Sequence, residues 1–333
     1  MKTIVCPVCL AEKSVRKAAP YLNSAEPLSK TSKEVFAGTD LYFCESCGFG
    51  FVHPPVSREK LSDYYASQYR NPEARYGVEQ GTIVFDKYVI STRSLAQIML
   101  ARMYRQLGPG DSFLDIGGGN GYSCHAVSML CPGTDLNVVE PDEHSRRFLE
   151  SLGVTLYTGS FNGTPVRGLD SMTFSCILMS HVLEHYNAGD IQDVLAHVKK
   201  LMAEDSIFIC EVPVEDVHAH LGRRNAVVPH LSHFTRESFS IALQKAGFRI
   251  LYLERAGQDT DWWWRNQHSM YGTDHSIVRR ALSRCVPGSI KRIIRRLYKP
   301  FGVPSVYDVL VNRDFQANKE GVYLRAVVRP GAG

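Results

Sequence analysis

The chain has 333 residues, 44% of them hydrophobic and 22% charged, with a formal net charge of +4. That length suits two modest domains, or one catalytic domain with attachments, and the composition allows a sizeable packed core. No apolar run approaches the ~18 residues of a membrane span, the start lacks the apolar stretch of a signal peptide, and the charge is too small to identify a polyanionic partner. Cytoplasmic residence is therefore the default expectation.

Residues 1–57 show little periodic pattern but hold two CxxC pairs, Cys6/Cys9 and Cys44/Cys47, separated by 34 residues. Each pair bends so that both thiolates face one metal. Two such knuckles give a closed tetrahedral site of four cysteines, which predicts a structural Zn2+ with no position open to substrate. The competing reading, a redox CxxC, prefers a single pair at a helix start. Zinc ribbons often bind nucleic acid, but this segment carries six Lys+Arg against five Asp+Glu and so lacks the electrostatic footprint for phosphates. The alternative is a module that packs on the catalytic domain and covers the substrate. The other five cysteines, Cys124, Cys131, Cys176, Cys210 and Cys285, read as small buried hydrophobes.

Residues 58–107 read as a helical linker or lid. Leu61 to Tyr69 is rich in tyrosine, with Tyr65 and Tyr69 as candidate pocket residues. Leu95, Ile98, Met99, Met103 and Leu107 form a helical stripe, broken by Gly108-Pro109-Gly110. From 108 to 255 strands and helices alternate. Strands are expected at Ser112–Ile116, Leu136–Val139, Val154–Tyr157, Thr173–Met179, Ile207–Val212 and Phe248–Leu253, with a last one at Gly321–Val328. Helices are expected at Tyr122–Leu130, Asp142–Leu152, Asp190–Met202 and from a Thr235 cap to Ala246. This alternation predicts an α/β fold: a Rossmann-like, doubly wound, mostly parallel seven-stranded sheet. A small N-terminal zinc module precedes it, and an insertion lies before the last strand. Ligands belong at the C-terminal strand ends.

Phe113 to Gly121 carries the pattern D-x-G-x-G-x-G, with Asp115 on the strand and Gly117, Gly119 and Gly121 in the turn to the helix. A dinucleotide fingerprint starting at Gly117 would need glycine at position 122, which is Tyr122. A carboxylate before the loop suits the ammonium of an amino acid. Glu140, at the end of the next strand, suits the two hydroxyls of a ribose. Adenosine plus an amino acid is S-adenosylmethionine (SAM). Asp115–Gly121 resembles motif I of class I SAM-dependent methyltransferases, and Glu140 their motif II acid, over roughly residues 106–255. The resemblance implies that Ser160, Phe161 and Asn162 lie near the adenine.

His181-Val182-Leu183-Glu184-His185 follows the fourth strand of this series and resembles the LEH segment of small-molecule methyltransferases, although Ser175 stands where they carry Asp. Pro229–Thr235 is similar to the H-x-x-x-F-[ST] segment of zinc-containing sugar methyltransferases, with His230 at their histidine position. The zinc module followed by the tyrosine-rich stretch resembles bacterial methyltransferases of sugar and polysaccharide pathways. Histidine is the side chain best tuned to remove an acceptor proton near neutral pH. His230 is thus the expected general base, with His185 and Glu184 as partners; a satisfied core or surface histidine is the alternative for each.

Residues 256–320 form the insertion, with Trp262-Trp263-Trp264 and eight Lys/Arg but no Asp/Glu from Ser276 to Lys299. Ile290, Ile293, Ile294 and Leu297 stripe a basic amphipathic helix there. It would suit an anionic membrane surface, making the protein membrane-peripheral, or phosphate groups, or its own domain. Residues 321–333 are the last strand and tail. The expected activity is SAM-dependent methyl transfer to a sugar, sugar nucleotide or glycan intermediate, on oxygen or carbon. The rival readings are a zinc-containing RNA methyltransferase and a non-catalytic scaffold on the same fold.

Overall fold

The computed structural model describes residues 4–21, 34–67, 82–85, 88–214, 230–257, 314–319 and 321–331. The tryptophan triplet, the basic stretch at 276–299, Cys285, Tyr69 and Pro229 lie outside the described residues.

The main sheet has seven strands: β6 (Ser112–Ile116), β7 (Asp135–Val139), β8 (Thr155–Tyr157), β9 (Phe174–Ser180), β10 (Met202–Pro213), β12 (Phe248–Ala256) and β13 (Tyr323–Pro330). Their spatial order is β12-β13-β10-β9-β6-β7-β8. Pairing is parallel from β8 through β10, while β13 runs antiparallel to both β10 and β12. The chain lays β6, β7 and β8 in one direction and then crosses back to place β9 on the other side of β6. The switch point therefore falls between the C-terminal ends of β6 and β9, where open α/β sheets bind ligands.

Burial on both faces explains the apolar strands. Leu114, Ile116, Ile177, Met179, Phe208 and Cys210 point to one face, and Phe113, Cys176, Leu178, Ile207 and Ile209 to the other, following the two-residue period of a strand. Helices α2 (Thr92–Tyr104) and α3 (Tyr122–Leu130) cover the second face. Helix α5 (Ile191–Lys200) seals the first face with Ile191, Val194, Leu195 and Val198, and α6 (Arg236–Lys245) joins it with Phe239, Ala242 and Leu243. Helix α4 (Glu143–Glu150) follows β7. None of the described helices is long and apolar enough to cross a membrane.

Two expectations need correction. Residues 58–107 are not continuously helical: after α1 (Arg58–Ser67), β4 (Thr82–Phe85) and β5 (Tyr88–Ser91) pair antiparallel before α2 begins. The β-branched residues Thr82, Ile83, Val84, Val89 and Ile90 carry strand propensity that a helical reading overlooked. The cysteine region, read as aperiodic, contains β1 (Val15–Pro20), β2 (Asp40–Cys44) and β3 (Gly50–His53). These form a four-stranded sheet completed at one edge by β11 (Ser232–His233), which lies about 180 residues further along the chain.

That fourth strand means the cysteine module shares its core with the larger domain. Phe49 packs on Phe234 at 5.3 Å between ring centroids, and Phe234 on Phe239 at 5.5 Å. Thr235 caps α6 and also donates its hydroxyl to the Cys47 carbonyl at 2.8 Å, while Lys245 at the far end of α6 donates to the Val8 carbonyl at 2.8 Å. Gly48 has φ +70, and a β-carbon there would meet the Thr235 methyl at 2.7 Å. Helix α1 is fastened to the start of α5 by Arg58 and Asp190, and the turn before α1 by Val56 and Asn187, whose backbone and amide exchange two hydrogen bonds.

Candidate active site

The glycine turn leaves β6 at the switch point. Gly117, Gly119 and Gly121 all have positive φ, at 76°, 54° and 76°. Two of them also lack room: a β-carbon on Gly117 would sit 2.5 Å from Val182 Cγ2, and one on Gly121 2.5 Å from Leu152 Cδ1. Glycine is therefore required by conformation and by space together. Asp115 is 3% exposed beneath this turn and accepts a hydrogen bond from the Ser123 hydroxyl in the first turn of α3. Glu140, just past β7, accepts from the Gly119 amide at 2.7 Å through one oxygen and from the Asp142 amide at 2.9 Å through the other. The acid thus fixes the glycine turn as well as presenting a carboxylate.

Ser160 and Phe161 follow β8. The Ser160 hydroxyl pairs with that of Ser62 on α1 at 3.1 Å. The Phe161 ring stacks on His197 at 4.4 Å inside the core, and its carbonyl accepts from the Tyr186 hydroxyl. The ring is thus committed to packing, which leaves the backbone at 161 and the Ser160 side chain as the groups here that can face a cofactor.

The segment after β9 approaches the turn from the other side, since β6 and β9 are neighbours in register and Val182 rests on Gly117. Leu183–His185 forms a single 3-10 turn. It carries Glu184, 1% exposed, into a ring of imidazoles: His181 Nδ1 lies 3.4 Å and His230 Nε2 3.9 Å from Glu184 Oε1. The His185 and His230 rings meet edge to face at 5.1 Å, and His185 Nδ1 lies 3.1 Å from the Tyr65 hydroxyl on α1. The structure therefore brings together the three residues expected to act on the acceptor, and adds His181 and Tyr65. His233 is instead fully buried in β11, where its backbone pairs with Gly50.

His230 is held by the cysteine module. The Tyr21 hydroxyl donates to its carbonyl at 2.8 Å, the Val52 amide donates to the next carbonyl, that of Leu231, at 2.9 Å, and β3 pairs with β11 directly after. The Leu231 amide in turn donates to the Glu184 carbonyl at 2.8 Å. Two segments distant in sequence are thereby locked side by side.

Behind the imidazoles lies a buried charge network. His181 adopts φ +55, a conformation that costs a non-glycine residue on the order of 1–3 kcal/mol. Its amide donates to the Glu211 carbonyl at 2.9 Å, and its Nε2 sits 3.4 Å from Glu211 Oε1. Glu211 also pairs with Arg325, whose guanidinium reaches the Asp314 carbonyl. Burial and Arg93 would lower the His181 pKa, but the two carboxylates outweigh them and raise it. Burial would likewise raise the Glu184 carboxyl, and the surrounding histidines outweigh it and hold it below the ordinary range. Sequence reading missed Glu211 and Arg325. The available signal was a charge placed inside each of two apolar strands, since such charges are buried only when paired.

The four cysteine sulfurs lie within 4.8 Å of one another, with Cys6 and Cys47 Sγ 3.7 Å apart and Cys9 and Cys44 Sγ 3.5 Å apart. A tetrahedral zinc–tetrathiolate centre with bonds of about 2.3 Å has sulfurs roughly 3.8 Å apart, so the set fits zinc closely. Hydrogen bonding from Cys47 pulls the Cys6 thiol down to about 5 and drives that of Cys47 up, as expected where thiolates converge. The scattered Cys124, Cys131, Cys176 and Cys210 are buried, and their thiols are raised chiefly by desolvation.

A doubly wound sheet with a glycine turn after β6, next to the central strand β9, and an acid after β7 has the Rossmann-like arrangement consistent with a methyltransferase fold. A model of the methyltransferase domain family matches residues 70–253, and the chain belongs to that family. It is thus a SAM-dependent methyltransferase of class I. Among solved structures it is similar to a SAM-dependent methyltransferase from Clostridium acetobutylicum, at 10% identity over 72% of this chain and 92% of that one, with a TM-score of 0.45. A TehB-like SAM-dependent methyltransferase from Corynebacterium glutamicum gives 11% identity over 74% and 89%, with a TM-score of 0.42. Mitomycin 7-O-methyltransferase gives 22% identity over 49% and 50%, with a TM-score of 0.40. No curated protein matches the chain.

Proposed function

We propose that the chain methylates a sugar, sugar nucleotide or glycan-linked acceptor on oxygen or carbon, with His230 as general base and Glu184 and His185 as its partners. Asp115, Gly117, Gly119, Gly121, Glu140, Ser160 and Phe161 form the SAM site, the last through its backbone, and Cys6, Cys9, Cys44 and Cys47 hold a structural zinc. The observation that carries this reading is the contact between the glycine turn and the histidine segment through Val182, which sets an acid–imidazole cluster beside the cofactor cradle.

When bound, the cofactor supplies a methyl group already activated on a sulfonium. Asp115 would orient the amino-acid end and Glu140 the ribose. His230 takes the acceptor proton, and the buried Glu184 carboxylate, 3.9 Å from His230 Nε2, stabilises the imidazolium that results. Tyr65 steadies the His185 ring beside it. The cysteine module, which holds His230 through Tyr21, and α1, which reaches His185 through Tyr65, would cover this side of the acceptor, align it and keep water away. The test is turnover with methyl-labelled SAM against a panel of sugar nucleotides and glycans. An acceptor should be found there, and His230→Ala should lower kcat on it while sparing SAM affinity. Full turnover in that variant would remove the base assignment.

A further inference from the structure

We infer that Glu184, His185 and His230 form a second divalent-cation site, chemically distinct from the cysteine cluster, which takes an ion of the Zn2+ or Co2+ class and silences the base when filled. One ligand atom from each of the three lies within 4.8 Å of the others. Ligands around a four-coordinate ion of this size are about 3.4 Å apart, so side-chain shifts of roughly 1 Å close the set. Two imidazoles and a carboxylate suit borderline divalent ions, whereas the four thiolates define a softer, closed site. Three protein ligands also leave a position open for water or an acceptor hydroxyl.

The independent observation is at Glu184. Both of its carboxylate oxygens are buried without a hydrogen bond of good geometry, and the imidazoles set against it, His181 at 3.4 Å and His230 at 3.9 Å, stand off at ion-pair distance on the one oxygen Oε1. A buried carboxylate paired so loosely on one oxygen is costly, and a cation seated among Glu184, His185 and His230 would satisfy it more closely. Its own backbone is fixed by the Leu231 amide, and His185 by Tyr65, so the ligands come from two segments already held in place. An ion seated here takes the His230 lone pair that proton removal needs; this inhibitory consequence, though not the site itself, rests on the base assignment above.

Cobalt titration of the zinc-loaded protein tests the site, followed by absorption and by turnover. One further equivalent should bind, with the visible bands of nitrogen and oxygen ligation and without thiolate-to-cobalt charge transfer. Glu184→Gln, close in shape to the parent, and His230→Ala should each lose that equivalent while keeping the zinc. Turnover of the parent should fall in step with loading and return on mild chelation. Absence of the further equivalent, or its persistence in both variants, overturns the site. The two claims can fail separately. Cobalt loading with a fully active His230→Ala would remove the base and keep the site, whereas an inert His230→Ala in a protein that takes up no extra cobalt would do the reverse.

Discussion

Replacing Gly117 with alanine probes the joint on which the catalytic reading rests. The turn holds Gly117 at φ +76, and its β-carbon would lie 2.5 Å from Val182 Cγ2, with the other two Val182 carbons at 3.6 Å. The left-handed backbone costs alanine about 1–2 kcal/mol. Relief by rotation is restricted, because a β-branched side chain is stiff about χ1. Overpacking should therefore add about 1–3 kcal/mol more. A second substitution, Val182→Ala, removes the clash but not the backbone strain, so the double-mutant cycle should show a favourable coupling of about 1–3 kcal/mol. Thermal melts of the four proteins give the coupling, and calorimetry gives the SAM affinity, which should fall in Gly117→Ala and partly recover in the pair. Strictly additive melts, or a Gly117→Ala protein as stable as the parent, would refute the contact between turn and histidine segment.

The seam between the cysteine module and the catalytic domain makes two further expectations. Phe234→Ala deletes a fully buried ring between Phe49 and Phe239, a change that should cost about 3–5 kcal/mol and lower Tm by about 10 °C. A melt within a degree or two of the parent would show that the module is only loosely attached. Removing zinc by chelation should lower Tm and abolish turnover while leaving SAM affinity nearly intact, because Tyr21, β3 and the Cys47 carbonyl anchor the segment carrying His230 and Thr235, whereas the glycine turn is held by Glu140 after β7. A metal-free protein that melts and turns over normally contradicts that coupling.

Much of this arrangement is written locally. The turn from Asp115 to Gly121 needs glycine for its positive φ, and the stripe on α5 reports one buried face, so both could be read from neighbouring residues. The strands around the cysteines could not. Their alternation is weak because β3 completes its pairing with Ser232–His233, about 180 residues further on, and the information lies in that distant partner. The β4–β5 hairpin was hidden between two helical stretches, although its β-branched residues marked it. Chain order alone puts Phe161 near the adenine, and its ring instead stacks on His197, a neighbour that the local sequence does not reveal. Glu211 and Arg325 look misplaced in apolar strands until β10 and β13 are set side by side.

The central claim is that Asp115, the glycine turn above it and the acid at Glu140 grip SAM. Titrating SAM into the zinc-loaded chain in a calorimeter measures this most directly, with Asp115→Ala as the paired sample. The parent should give heat that saturates at a single site, and the variant should give none while melting as a folded protein. A parent that releases no heat, or a variant that binds as tightly as the parent, would contradict the account.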